Sequence, residues 1–327
     1  MKNWLNRLRG GSDNAGAAAP AATAAEAPED AAAAQAAEID ATYYRWLTAS
    51  AGYAAPSDVE ERILDAVRTM AGNPREAAEL VPRVPEIIPQ LLRTLGDDSA
   101  SNTELARQVT QDTVLVAEVI REANSAYYRP LTTVKTVEAA IMMLGQNGLR
   151  MLLARLAFRP LIRLQPSGFA RQAAPRVWSQ SEKCALAASL AAPGLTAPAF
   201  ESYLAGLMQN VGLVVGFRLA DRITQDGRIP GSSDFGRNLF DVSRQLSASI
   251  ALYWEFPPDV SDAIAQAGVH GESDLRLAQA LAQGDRIAKL RLLIDNNVID
   301  EDDSLVTDGL DNFQRRCLGK LKDVTED

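Results

Sequence analysis

Between Tyr43 and about residue 295, the apolar residues of this chain recur three and four positions apart. No segment alternates in the way a half-buried strand requires. A chain patterned in this way buries its apolar surface by packing helix on helix. Composition agrees, because alanine and leucine are plentiful and aromatic residues make up only 6%. The expected fold class is all-α. No repeat of solenoid period is present.

Start and stop signals divide the pattern. It is helical from Tyr43 to Ala71, with a charged face at Asp58, Glu60, Glu61 and Arg62, and Gly72-Asn73-Pro74 ends it. Prolines at 82, 85 and 89 start a helix carrying Ile87, Ile88, Leu91, Leu92 and Leu95. Ser101 to Glu104 reads as a capping box, and Asp112 as the cap of a helix with Leu115, Val116, Val119 and Ile120 inward. Another helix begins near Thr136 and stops at Gly145. Further helices are expected at roughly 147–165, 173–192, 198–224, 238–255, 258–267 and 274–295.

The N-terminal part differs. Residues 11 to about 38 are Ala, Pro, Gly, Asp and Glu with almost no large apolar side chain, so they are expected to form a disordered linker. In the first ten residues, Trp4, Leu5 and Leu8 alternate with Lys2, Arg7 and Arg9. Two readings stay open there: a short amphipathic docking peptide, or an ordinary frayed terminus.

Charge and residue counts exclude several function classes. A net charge of −9 and a pI near 4.9 argue against a protein that coats nucleic acid. The tandem short helices near 102–123 lack a face rich in Lys, Arg, Asn or Gln, so no DNA reader is expected. No run reaches the ~18 apolar residues of a membrane span, and the N-terminus lacks a secretory core. A cytoplasmic location is expected. Cys184 and Cys317 sit in no CxxC pair and read as reduced thiols. The single histidine, His270, rules out a multi-histidine site and reads as a surface loop residue.

Several stretches together resemble the HDOD family, the HD-related output domain of bacterial signalling proteins. They are the Pro-rich helix start at Val84-Pro85-Glu86-Ile87, the Asp112-x-x-Leu115 cap, the run Ala123-Asn124-Ser125-Ala126-Tyr127-Tyr128, and the run from Met143 to Arg150. The resemblance continues to about Ala267. It implies four regions: a disordered segment 1–40, an accessory helical segment 41–75, an HDOD-like domain 78–270, and a C-terminal helical extension 271–327 with an acidic loop.

The resemblance also implies where a metal would sit in an active HD phosphohydrolase, which holds one or two ions with histidines and a His-Asp doublet. At the doublet, in the run Gly206-Leu207-Met208-Gln209-Asn210-Val211-Gly212, this chain has Gln209 and Asn210. In a Trp-x-His-Ser-like motif, Trp178-Ser179-Gln180-Ser181, Gln180 takes the histidine position. Eleven residues before Trp254, in Trp254-Glu255-Phe256-Pro257, stands Ser243 in place of a histidine. The last histidine pair would fall near Ala267-Gly268. Each replacement removes a ligand, while Trp178, Gly206, Gly212, Trp254 and Pro257 keep the frame. The expectation is no catalytic residue, no metal and no cofactor.

Other features carry weaker signals. Six arginines and no acid lie between Glu138 and Glu182, and Arg155, Arg159 and Arg163 share one helix face. That face suits a phosphorylated ligand, or else it is solvated or pairs with acids elsewhere. Seven acids and no base lie between Asp295 and Asp311, a solvated loop, a calcium loop without EF-hand spacing, or a strip docking on the arginines. Asn124 and Ser125 read as a small polar binding spot or as helix-end caps.

The expected function is a non-enzymatic signalling adaptor that binds other signalling proteins, with a kinase, cyclase, phosphodiesterase or motor component as candidates. The alternative is a sensor of a small phosphorylated ligand such as a cyclic dinucleotide. A residual metal-dependent phosphohydrolase ranks last.

Overall fold

A computed structural model describes residues 28–49, 51–81, 102–110, 113–125, 128, 130–224, 227–267 and 274–323. Expectations placed on Trp4, Leu5, Leu8, Val84-Pro85, Ser101, Asp112 and His270 lie outside these residues. Among the described residues the chain is all-α, apart from one pair of two-residue strands.

The helices are α1 (Pro28–Thr48), α2 (Ser57–Ala71), α3 (Pro74–Glu79), α4 (Asn102–Val109), α5 (Thr113–Ala123), α6 (Val137–Arg163) and α7 (Gly168–Ala191). They continue as α8 (Ala199–Met208), α9 (Val211–Thr224), α10 (Ser233–Tyr253), α11 (Pro258–Gln266), α12 (Arg276–Asp295), α13 (Ser304–Thr307) and α14 (Asn312–Lys320). The strands β1 (Gly52–Tyr53) and β2 (Ile229–Pro230) pair in parallel.

α7 is the axis of the molecule: α12 and α8 lie along it, and α10 packs on α2, α9 and α11. The main core gathers Tyr43, Tyr44, Leu47, Phe158, Phe169, Phe217 and Phe235 with aliphatic residues of α7 to α12. A second, smaller core joins Val109, Val119 and Ala123 to the first half of α6. A third lies under the C-terminal helices, around Ile39, Leu290, Val306, Leu310 and Leu318.

Several expectations are corrected. The first helix starts at Pro28 rather than near residue 40, so the linker reading fails for 28–38. Alanines at 31–34, 36 and 37 are strong helix formers. Ile39, Tyr43, Tyr44 and Leu47 are buried and give the run a tertiary anchor. The expected single helix 43–71 is two, because Pro56 precedes a new start at Ser57 and the chain between them pairs with β2. The Tyr44 hydroxyl donates to the Pro230 carbonyl at 2.6 Å, tying α1 to that pair. The accessory segment is therefore built into the core, and α12 adds Leu277, Leu281 and Leu292 to it.

The break at Gly145 matches expectation: its φ is +67°, a conformation costly to any residue with a Cβ, and it separates the two halves of α6. Thr136 caps the start, its hydroxyl accepting from the Ala139 N–H at 3.2 Å. The stretch Ala199–Thr224 has the length and composition of a membrane span, but 89% of its most apolar window is buried inside the fold.

Candidate functional site

The expected helix 198–224 is interrupted at Gln209 and Asn210, the doublet position. Ser247 on α10 stands in for the missing turn. Its hydroxyl donates to the Gln209 carbonyl at 2.7 Å and accepts from the Gly212 N–H at 2.8 Å. This requires α10 to press against α9: a Cβ on Gly212 would lie 2.2 Å from the Ser243 carbonyl oxygen. Gly206 allows a similar approach, with its hypothetical Cβ 2.4 Å from the Ala185 Cα on α7. The two frame glycines thus bring the doublet onto α7 and α10.

Gln180, Gln209, Asn210 and Ser243 meet there; the first two and Ser243 are buried. The Asn210 amide donates to Gln180 Oε1 and to Ser181 Oγ, the latter at 2.9 Å. Gln180 Nε2 and Gln209 Nε2 donate to Asp285 Oδ1 at 2.6 and 3.0 Å. Gln209 Nε2 also lies 3.0 Å from Cys184 Sγ. Ala267 instead closes α11 and packs against the main core.

The centre of the site was not among the expected residues. Asp285 and Lys289, four residues apart on α12, pair at 2.6 Å. Lys289 Nζ also pairs with Asp40 of α1 at 2.6 Å, and Arg244 of α10 lies 3.5 Å from Asp285 Oδ2. The ammonium sits 5.6 Å from the Tyr43 ring centroid and 5.0 Å from that of Phe240. Burial pushes the Asp285 carboxyl up, but Lys289, Arg244 and the amide donors overcome this and hold it below the ordinary carboxylate range. Burial pulls Lys289 down, and Asp285 and Asp40 more than restore it. Burial raises the Tyr43 hydroxyl, which stays protonated. One signal for this cluster stood in the sequence: Asp285 and Lys289 are four residues apart and so share a face of their helix.

These residues do not fit a divalent ion. The single carboxylate in contact with the amides among the described residues, Asp285, is already bonded to two amides and an ammonium, with a guanidinium beside it. The amides turn N–H donors, not oxygens, toward it. A further cation here would meet Lys289 and Arg244 at short range. The void lined by Tyr43, Asn210, Ser243 and Lys289 leaves a water molecule's centre about 10 Å³, room for about one water. The buried hydroxyls of Tyr43 and Ser243 line it with no hydrogen-bond partner among the described residues.

A model of the HDOD domain matches residues 81–268 of the chain. The chain belongs to the HDOD family. An HDOD domain protein of unknown function from Geobacter sulfurreducens shares 23% identity at a TM-score of 0.55, over 79% of this chain and 94% of its own. A protein from Shewanella amazonensis, provisionally named a metal-dependent phosphohydrolase, shares 16% at 0.54, over 81% of this chain and 99% of its own. One from Marinobacter aquaeolei, provisionally named a signal transduction protein, shares 19% at 0.51, over 90% of this chain and 67% of its own. At these identities the likeness shows the fold. No curated protein matches the chain. HDOD membership supports a signalling-related role. The HDOD match ends short of α12 and starts after α1, so Asp285, Lys289, Asp40 and Tyr43 come from outside it.

The remaining candidates lie elsewhere. Arg155 pairs with Glu122 of α5 at 2.6 Å and lies 3.8 Å from Glu182 of α7, joining the small core to the large one. Burial pulls its guanidinium down, but Glu122, Tyr203 and Glu182 hold it above its ordinary range. Arg159 and Arg163 are half-buried on the same helix. Asn124 ends α5: its amide donates to the Ile120 and Val134 carbonyls, both at 2.8 Å, and Oδ1 accepts from the Val134 N–H at 2.8 Å. Ser125 is half-buried beside it. In the acidic strip, Asp303 caps α13, Asp311 forms a capping box on α14, and Asp295 pairs with Arg291 at 2.6 Å. Glu301 pairs with Lys322 at 2.5 Å.

Proposed function

We propose that this HDOD protein is a non-enzymatic adaptor in bacterial signalling, acting in the cytoplasm by binding partner proteins. The observation that supports this is the state of Asp285. Its lone pairs go to Gln180, Gln209 and Lys289, so it offers no base to a substrate and no free carboxylate to a metal. A domain that keeps its frame and fills its centre with internal bonds is suited to presenting surfaces. A kinase, cyclase, phosphodiesterase or motor component is the expected class of partner. The phosphorylated-ligand reading draws no support from Arg155, whose guanidinium is already shared between two carboxylates.

The test is affinity purification of the tagged full-length protein from its own cells, with co-purifying proteins identified by mass spectrometry. Specific enrichment of a signalling protein, reproduced with the two purified components, is expected. Absence of any such partner, together with metal-dependent phosphodiester hydrolysis by the purified protein, would overturn the proposal.

A further inference from the structure

The polar cluster at the doublet position holds two carboxylates, Asp285 and Asp40, and two cations, Lys289 and Arg244. The Lys289 side chain is 4% exposed and lies between the two carboxylates, 2.6 Å from an oxygen of each. Asp241 approaches Arg244 at 3.3 Å, but it is 54% exposed and solvent screens it. The buried group is therefore neutral only while Lys289 is charged. The amides Gln180 and Gln209 complete the coordination of Asp285 from α7 and the doublet.

We infer that the Lys289 ammonium takes the place of the metal ion in this fold. It is a covalently tethered cation that holds the Asp285 and Asp40 carboxylates, and with them α12 and α1, around the doublet. The positions are consistent with such an exchange. A divalent ion would bridge carboxylates from separate elements and neutralise them. Lys289 bridges carboxylates 245 positions apart in the chain, the difference between 285 and 40, on two helices outside the HDOD match. The rings of Tyr43 and Phe240 wall the ammonium in, with negative ring faces toward a cation. A tethered ion cannot dissociate, so the two flanking helices become permanent parts of the domain. This inference concerns the architecture of the site and holds whether or not the partner-binding proposal does.

The experiment is thermal unfolding of the full-length protein with and without millimolar Mn2+. Lys289→Gln keeps a hydrogen-bonding amide but removes the charge. It is expected to lower Tm by on the order of 5 °C, the effect of a buried carboxylate left uncompensated in a chain this size. Mn2+ should recover at least half of that fall and leave the wild type unchanged. The double variant Lys289→Gln/Asp285→Asn restores neutrality; it should sit closer to the wild type and not respond to Mn2+. No fall in Lys289→Gln would overturn the inference. So would a fall that Mn2+ does not reverse, or an equal Mn2+ response in the wild type. If Lys289→Gln is insoluble, the double variant decides: soluble protein supports charge compensation, and insoluble protein overturns it.

Discussion

Asn124 separates two readings of the same residue, a polar binding spot and a structural pin. Its side chain makes three hydrogen bonds of 2.8 Å, two of them to both backbone groups of Val134, whose residue is buried. Asn124→Ala removes all three and leaves the Val134 N–H and carbonyl without their partner. At about 1 kcal/mol net per bond, the loss is about 2–3 kcal/mol. A chain of this size has an unfolding entropy of roughly 0.6 kcal/mol/K, so Tm should fall by about 3–5 °C. Asn124→Asp is the sharper variant. It keeps the acceptor for the Val134 N–H but turns a carboxylate oxygen toward two carbonyls, so its loss at neutral pH should match or exceed that of alanine. The assay is scanning calorimetry or fluorimetry of both variants at pH 7, with hydrogen exchange over 130–141 to localise the loss. A Tm within about 1 °C of the wild type for both variants would refute the pin; loss of partner capture at unchanged Tm would make Asn124 a binding residue.

Gly206→Ala should be severely destabilising, at least the ~1–3 kcal/mol of an overpacked core, because its Cβ would lie 2.4 Å from backbone of α7; soluble protein of wild-type Tm would contradict the close approach. Asp285 has a folded-state pKa below its unfolded value, so its contribution is fully present above the unfolded pKa near 4 and is lost as pH falls through the lower folded value. Wild-type Tm should therefore drop more steeply below about pH 4 than that of Asp285→Asn, and parallel profiles would count against the pairing. Both thiols are buried, and burial raises both, so neither should react with a thiol reagent in the native state and both should react after unfolding.

What was legible in the sequence followed from local chemistry. The stop at Gly145 could be read because only glycine takes that backbone conformation cheaply. The candidate site at Gln180, Gln209, Asn210 and Ser243 was implied by the resemblance to the HDOD family, which places all four at ligand positions, and the fold brings them together. The break at Gln209-Asn210 was hidden, because the apolar stripe of Leu204, Leu207, Val211 and Val214 runs straight across it and Ser247, 35 residues after Gly212, supplies the missing bonds. The helix at 28–38 was hidden because its stability comes from anchors beyond the alanine run. Asp285, Lys289 and Asp40 were hidden for a similar reason. Each looks like an ordinary surface charge until α1 and α12 are packed together beside the doublet.

We propose that this HDOD domain has exchanged metal chemistry for internal charge pairing. The direct test is the metal content of full-length protein, purified from cells supplied with manganese, iron and zinc and then dialysed, measured by mass spectrometry per chain. A content far below one ion per chain is expected for every divalent metal. One or two tightly held ions per chain would contradict it, because the cluster around Lys289 would then have to open to admit them.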